Sequence, residues 1–155
     1  MLEVHFLGTG AMMPLPERRL ASVLLRRDGR LLLIDCGEGT QVAVRESGWS
    51  MAKIEMICLT HFHADHVAGL PGLLLTMGTM GRREPVRLVG PGGLEAVVNC
   101  LRVIAPELPY DVVFSEIPGP EFNFSFADAR LTAFSLSHVM PCYGYALEIR
   151  RPGKF

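Results

Sequence analysis

Hydrophobic and polar positions along the chain fall into short runs separated by glycine and proline. Leu2 to Leu7, Ser22 to Arg26 and Arg30 to Asp35 read as strands. Asp28 and Gly29 both tolerate positive φ, so the second and third runs form a tight hairpin. Gln41 to Ser47 fits a short helix closed by Gly48, and Trp49 is expected to pack against the core. Ile54 to Leu59, with β-branched Ile54 and Ile57, fits a buried strand. Leu70 to Met80 is apolar enough for a buried helix, with Met77 and Met80 filling gaps in the core. Val86 to Val89 is a strand, and Gly90-Pro91-Gly92-Gly93 then turns into a helix from Leu94 to Ala105. From Asp111 the period changes. Asp111 to Glu116, Phe122 to Phe126, Arg130 to Leu136 and Tyr143 to Ile149 read as strands separated by Pro118, Gly119, Pro120 and Pro141. Strands, then helix-strand alternation, then strands again predict an α/β (α+β) mixed sheet with covering helices. A chain of 155 residues is normally a single domain, here taken as 1–155.

Composition adds limits more than it adds a function. The chain is 49% hydrophobic with a mean hydropathy of +0.28, which fits either an apolar sheet face awaiting a partner layer or Leu-, Val- and Met-rich cores. The net charge of −1 gives no basic signature of nucleic acid, so an RNA substrate would need a local basic patch or a basic element not in this chain, and no DNA partner is expected. No run approaches the roughly 20 apolar residues of a membrane span, and no signal peptide is expected from the first residues. Cys36, Cys58, Cys100 and Cys142 are widely spaced, without a C-x-x-C pair. Reduced thiols in a cytoplasmic protein are the expectation, with Cys58 acting as a small buried hydrophobe. Gly8-Thr9-Gly10 lacks the third glycine of a dinucleotide loop and reads as a tight turn, followed by a solvated loop from Met12 to Arg19 whose Arg18 and Arg19 could also touch phosphate.

The chemistry is concentrated in Leu59-Thr60-His61-Phe62-His63-Ala64-Asp65-His66. Three of the five histidines lie here around one aspartate, at the end of a buried strand. In extended backbone His61 and His63 leave the same face, and a turn then brings Asp65 and His66 to a second position beside them. Imidazole suits zinc and related metals, and carboxylate adds a harder, charged ligand. Six residues thus offer donors to two cations, the arrangement that clamps the attacking and leaving oxygens of a displacement. His5 reads as structural. Asp35 could cap the following helix through a backbone N–H. On spacing alone His138 could be a surface loop histidine.

The H-x-H-x-D-H pattern after an apolar strand resembles the signature of the metallo-β-lactamase superfamily. Three further words, Phe6-Leu7-Gly8-Thr9-Gly10, Leu33-Ile34-Asp35-Cys36-Gly37-Glu38-Gly39-Thr40-Gln41 and His66-Val67-Ala68-Gly69-Leu70-Pro71-Gly72-Leu73-Leu74, resemble the ribonuclease Z family within it. This resemblance implies a metallo-β-lactamase-like fold, one half of an αββα sandwich. It implies hydrolysis of a phosphodiester, with endonucleolytic removal of the 3′ trailer of precursor tRNA to leave a 3′-hydroxyl. It makes His138, with Tyr143-Gly144-Tyr145 beyond it, the third ligand of a first zinc site with His61 and His63. Asp65 and His66 become ligands of a second zinc, Asp65 also acting on the attacking water, and Asp35 a structural acid beside the site. The family completes the second site with a further Asp and His. After His138 this sequence holds neither, so one well-formed zinc site is expected here and activity of the isolated chain is in doubt. Residues 151–155 resemble the start of the family's tRNA-binding arm. The family also implies a homodimer. The rivals are another metallo-β-lactamase-fold phosphodiesterase and a non-catalytic metal-binding fragment that needs a partner.

Overall fold

In the computed structural model, which describes residues 1–149, Asp28 and Gly29 take φ of 51° and 80°. Both angles are positive, as the hairpin signal requires, and the turn joins β2 (Ser22–Arg27) to β3 (Arg30–Ile34). With β1 (Leu2–Gly8), β4 (Ile54–Cys58), β5 (Val86–Gly90) and β6 (Val112–Glu116) they form a six-stranded sheet in the order β1-β2-β3-β4-β5-β6. The pairs among β1, β2 and β3 are antiparallel, and those from β3 to β6 are parallel. A parallel pair needs a crossover, and the connections carry α1 (Thr40–Glu46), α2 (Ala64–Val67), α3 (Leu70–Thr79) and α4 (Leu94–Leu101). The strands β7 (Glu121–Phe126), β8 (Ala129–Leu136) and β9 (Cys142–Ile149) make a second, antiparallel sheet.

Two apolar cores follow from the pattern of β2 to β5. Leu24, Leu31, Leu33, Ile57 and Leu88 face the helices and meet Val44, Leu70, Leu73, Leu74, Leu94 and Val98. Leu25, Leu32, Met56, Cys58 and Val89 face the other way and meet Phe124, Phe126, Leu131, Ala133 and Tyr143 of the second sheet. Buried on both faces, β3 and β4 need continuous rather than alternating hydrophobicity. The layers therefore run helices, sheet, sheet, which is the half-sandwich expected from the sequence. The apolar sheet face does have its partner layer, yet on β1 Val4 and Phe6 stay exposed, Phe6 at 72%. Between them His5 stacks on Trp49 at 4.1 Å, with the Arg26 guanidinium 4.4 Å from the Trp49 ring, so both residues pack as expected.

Three local expectations shift. Helix α4 stops at Leu101 and a 3₁₀ turn, Arg102–Ile104, replaces its last turn. Pro106 disfavours helical backbone at Ala105, and Val103 and Ile104 are exposed where a buried helix end would have covered them. Met77 is fully buried, but Met80 lies at the open end of α3 with 47% exposure. Asp35 does not cap α1, whose N-cap is Gly39 at φ 84° with no side-chain cap. No helix among the described residues is long and apolar enough to cross a membrane. All four cysteines are free thiols, and burial pushes Cys36 and Cys58 well above the ordinary thiol range. The residues expected to begin an arm, 151–155, lie outside the described residues.

Candidate metal centre

The site forms where β4 leaves the sheet. Leu59 N–H donates to the Val89 carbonyl at 2.8 Å, extending the β4–β5 pairing by one step. From the second sheet, the Tyr145 hydroxyl donates to the Leu59 carbonyl at 2.7 Å and Tyr143 N–H to the Thr60 carbonyl at 2.9 Å. Strand β9 thus holds the segment that carries His61 and His63, and the turn before β9 carries His138. One donor nitrogen from each of His61, His63 and His138 lies within 4.8 Å of the other two. His61 Nε2 is 3.0 Å from His63 Nδ1, and His138 Nε2 is 3.4 Å from the same nitrogen. Zn–N bonds of about 2.0–2.1 Å in a tetrahedron put ligand nitrogens about 3.3 Å apart. Two of the three separations thus lie close to the ligand spacing of a zinc-sized cation.

Asp35 fixes how His61 of this triad and the neighbouring His66 present themselves. It sits at φ 59° just beyond β3 and is only 5% exposed. Its Oδ1 accepts Thr60 N–H at 2.8 Å, and its Oδ2 accepts the Thr60 hydroxyl at 2.9 Å. The Thr60 oxygen lies 2.9 Å from His61 Nδ1. With the hydroxyl proton given to Asp35, that oxygen accepts Nδ1–H and leaves His61 Nε2 as the free donor. Asp35 Oδ2 also takes His66 Nδ1–H at 2.7 Å, which frees His66 Nε2. Such outer hydrogen bonds select the tautomer and hold the ring of a metal-binding histidine. Thr60 was missed in the sequence; a hydroxyl residue directly ahead of the first histidine was its only signal.

Asp65 and His66 lie beside the triad rather than in it. Asp65 is in the first turn of α2, and its Oδ2 is 3.5 Å from His66 Nε2. The His66 ring centroid is 4.2 Å from that of His61. Met12 N–H, from the loop after β1, donates to Asp65 Oδ2 at 2.9 Å, a contact with no signal in the sequence. Chiefly through this hydrogen bond, Asp65 is held below the usual carboxylate range. These two donors face a common space, and the structure brings no third acidic or imidazole ligand to them among the described residues.

Burial first, and then the neighbouring imidazoles, hold His61 below its usual value. Burial also pulls His66 down, but the hydrogen bond and charge of Asp35, with the charge of Asp65, outweigh it and hold His66 above. In the metal-free chain, His66 is therefore expected to keep its proton to higher pH than His61. A titration of the imidazole Hε1 resonances by nuclear magnetic resonance checks this; the reverse order would remove the role given to Asp35.

A family model described as Anti-Pycsar protein Apyc1 matches residues 2–151. The chain belongs to this family. Ribonuclease Z of Lachnoclostridium phytofermentans is 53% identical over 155 residues, covering 100% of this chain and 51% of that protein. The chain spans about half the length of the curated relatives it matches. Human tRNase Z, short form, superimposes with a TM-score of 0.86 at 32% identity, covering 96% of this chain and 65% of that one. The metallo-β-lactamase-fold protein YhfI of Bacillus subtilis, at 16% identity, shares the fold with a TM-score of 0.76 over 95% of this chain and 57% of that one. The fold and the ribonuclease Z resemblance expected from the sequence words are borne out.

Those words also have a structural reason. Gly37 and Gly69 let two backbones touch behind the site. Cys36 N–H donates to the His66 carbonyl at 2.7 Å, and Gly69 N–H donates to the Cys36 carbonyl at 2.9 Å. A Cβ on Gly69 would lie 2.2 Å from the Gly37 carbonyl oxygen, and one on Gly37 would lie 2.5 Å from the Asp65 carbonyl oxygen. Gly69→Ala is expected to cost about 3 kcal/mol by overpacking, read as a fall of roughly 10 °C in the thermal midpoint for a chain of this size. An unchanged midpoint would show that α2 and the β3 end can separate freely.

Proposed function

We propose that this chain carries the first metal site of a zinc-dependent phosphodiester hydrolase. The proposed reaction is endonucleolytic cleavage of the 3′ trailer from precursor tRNA, leaving a 3′-hydroxyl on the tRNA. One observation carries the reading: three imidazole nitrogens, two from one strand end and one from 75 residues later, meet at 3.0 and 3.4 Å. His61, His63 and His138 hold the first zinc. Asp65 and His66 supply two ligands to a second, whose remaining ligands lie outside these 155 residues. When bound, the cations offset charge on phosphoryl oxygens and acidify water.

The chain's own groups do the remaining work. Thr60 and Asp35 keep His61 and His66 turned so that Nε2 of each faces the site. Asp65, ionised and aligned by Met12 N–H, orients the attacking water and takes its proton. Residues 1–155 serve as the N-terminal portion of a metallo-β-lactamase fold. Precursor tRNA is the proposed partner and the cytoplasm the proposed location, consistent with four free thiols. A homodimer is the proposed assembly of the longer protein. A second reading, a metallo-β-lactamase-fold phosphodiesterase acting on another substrate, rests on the family model's description, which is not that of a ribonuclease Z.

The test joins this chain to the second half of the Lachnoclostridium phytofermentans ribonuclease Z. The zinc-loaded fusion is expected to remove the trailer from precursor tRNA, and the 155-residue chain alone to give little or no turnover. A fusion that hydrolyses bis(p-nitrophenyl) phosphate but leaves precursor tRNA intact would favour the second reading.

A further inference from the structure

The six-stranded sheet has a second concave site at its opposite end. His61 follows the last residue of β4, whereas Lys53 directly precedes its first. Between them lie the five residues of β4, a span of roughly 16 Å, and then Leu59 and Thr60. A cleft of about 870 Å³ lies there, between the β2–β3 hairpin, the turn before β4 and the segment leading into β5. Its charged lining is Lys53, Arg82, Arg83 and Arg87 against Glu55 and Glu84.

The cations of this cleft differ from the paired arginines of the surface. Arg19, Arg26, Arg27 and Arg30 each have a carboxylate partner, and the partner of Arg30 is Glu55. Among the described residues, Lys53, Arg82, Arg83 and Arg87 form no ion pair with an acid. Arg82 is 5% exposed. Its Nη1 donates to the Ala52 carbonyl at 2.8 Å and its Nη2 to the Pro85 carbonyl, while its buried Nε has no partner. A guanidinium held by neutral carbonyls makes no direct ion pair, and burial lowers its pKa against the smaller opposing effect of Tyr110, Glu55 and Glu84. Arg87 is turned by its Nε–H bond to Ser115 Oγ at 3.0 Å. The result is a preorganised positive potential with one acid already engaged elsewhere.

Size and lining narrow the ligand. Pockets of roughly 300–1,000 Å³ suit molecules of drug or cofactor size, and a lone phosphate would leave this one mostly empty. Ala52, Pro85 and Val113 supply apolar wall. Gly29 and Gly81 leave open space where a Cβ would stand, so a flat ring can lie against backbone. Glu84, exposed and without an ion-pair partner among the described residues, is an acceptor for hydroxyl or amino groups. We propose that this cleft binds a nucleoside phosphate, with Lys53, Arg83 and Arg87 on the phosphates and Arg82 as a fixed positive charge behind them. It is a site separate from the metal centre.

The metal centre would itself attract phosphates, so the test uses a His61→Ala/His63→Ala chain in the presence of a chelator. Binding of fluorescent N-methylanthraniloyl-ADP is followed by anisotropy, with unlabelled ADP and inorganic pyrophosphate as competitors. Saturable binding is expected, with ADP competing at least about tenfold better than pyrophosphate. Adding Lys53→Ala/Arg83→Ala is expected to weaken it by about tenfold or more, since charge-assisted contacts are lost. Both side chains are exposed, so the thermal midpoint should not move. Arg45→Ala, an exposed cation on α1, should leave binding unchanged. The proposal fails if binding does not saturate or survives the double substitution. It fails equally if Arg45→Ala weakens binding as much, or if pyrophosphate competes as well as ADP.

Discussion

Replacing His138 with alanine is expected to lower zinc affinity by about a hundredfold or more, because it removes one of three imidazoles and leaves a two-ligand site. The side chain is exposed, and its only polar contact among the described residues is the 3.4 Å approach to His63 Nδ1. The metal-free variant should therefore unfold at the wild-type temperature. This separation makes the result interpretable, since a loss of zinc cannot be assigned to a loss of fold. Competition against a chromophoric chelator gives the affinity, and thermal unfolding without metal gives the control. Undiminished zinc binding in the variant would take His138 out of the site.

Asp35→Ala is expected to damage both fold and site. The substitution strands Thr60 N–H, the Thr60 hydroxyl and His66 Nδ1–H, three donors now served by one buried carboxylate. Loss of such a network costs about 3–5 kcal/mol. Alanine also tolerates φ 59° less well than aspartate. In the same variant His66 loses the bond that selects its tautomer, and the Thr60 hydroxyl beside His61 loses the carboxylate that orients it, which lowers metal affinity by about 10–100-fold. Asp35→Asn separates the two effects. It tolerates the backbone and can still accept Thr60 N–H, so it should recover part of the stability. It cannot supply the carboxylate charge, so zinc affinity should stay low. Chemical denaturation and zinc competition, run on both variants, check this. Equal stability of wild type and Asp35→Ala would show that the network is dispensable.

What could be read from the sequence was what is local. The strand before His61, the i and i+2 spacing of His61 and His63, and the Asp28-Gly29 hairpin are all encoded within a few residues. The boundaries of β1 to β9 moved by at most a residue or so because each run is bounded on at least one side by glycine, proline or a charged residue. His138 was different. Nothing near it distinguishes a ligand from a loop histidine, and it joins the site only because β8 and β9 pack across the end of β4. Asp35 was placed beside the site by the resemblance, but its bonds, and Thr60 altogether, were hidden for the same reason. They become neighbours through the parallel register that sets Ile34 beside Cys58, and a register between strands 24 residues apart leaves no mark in either strand. The helix-cap reading of Asp35 fell to that geometry, because its oxygens were already committed to Thr60 and His66. The α4 boundary failed for a local reason: Pro106 acts on Ala105, and the apolar run through Ile104 masked it.

The glycine-containing words were legible as resemblance but not as physics. Gly37 and Gly69 look like ordinary loop residues until the two segments are brought together at 2.9 Å. They are spacing elements that set Asp65 and His66 at their height above the sheet.

X-ray absorption at the zinc edge of the chain loaded with one equivalent of zinc tests the central claim most directly. Convergence of His61, His63 and His138 on one cation predicts three imidazole nitrogens at about 2.0–2.1 Å with a single light oxygen donor and no sulfur. Fewer than three imidazoles, or a sulfur shell at about 2.3 Å, would contradict it.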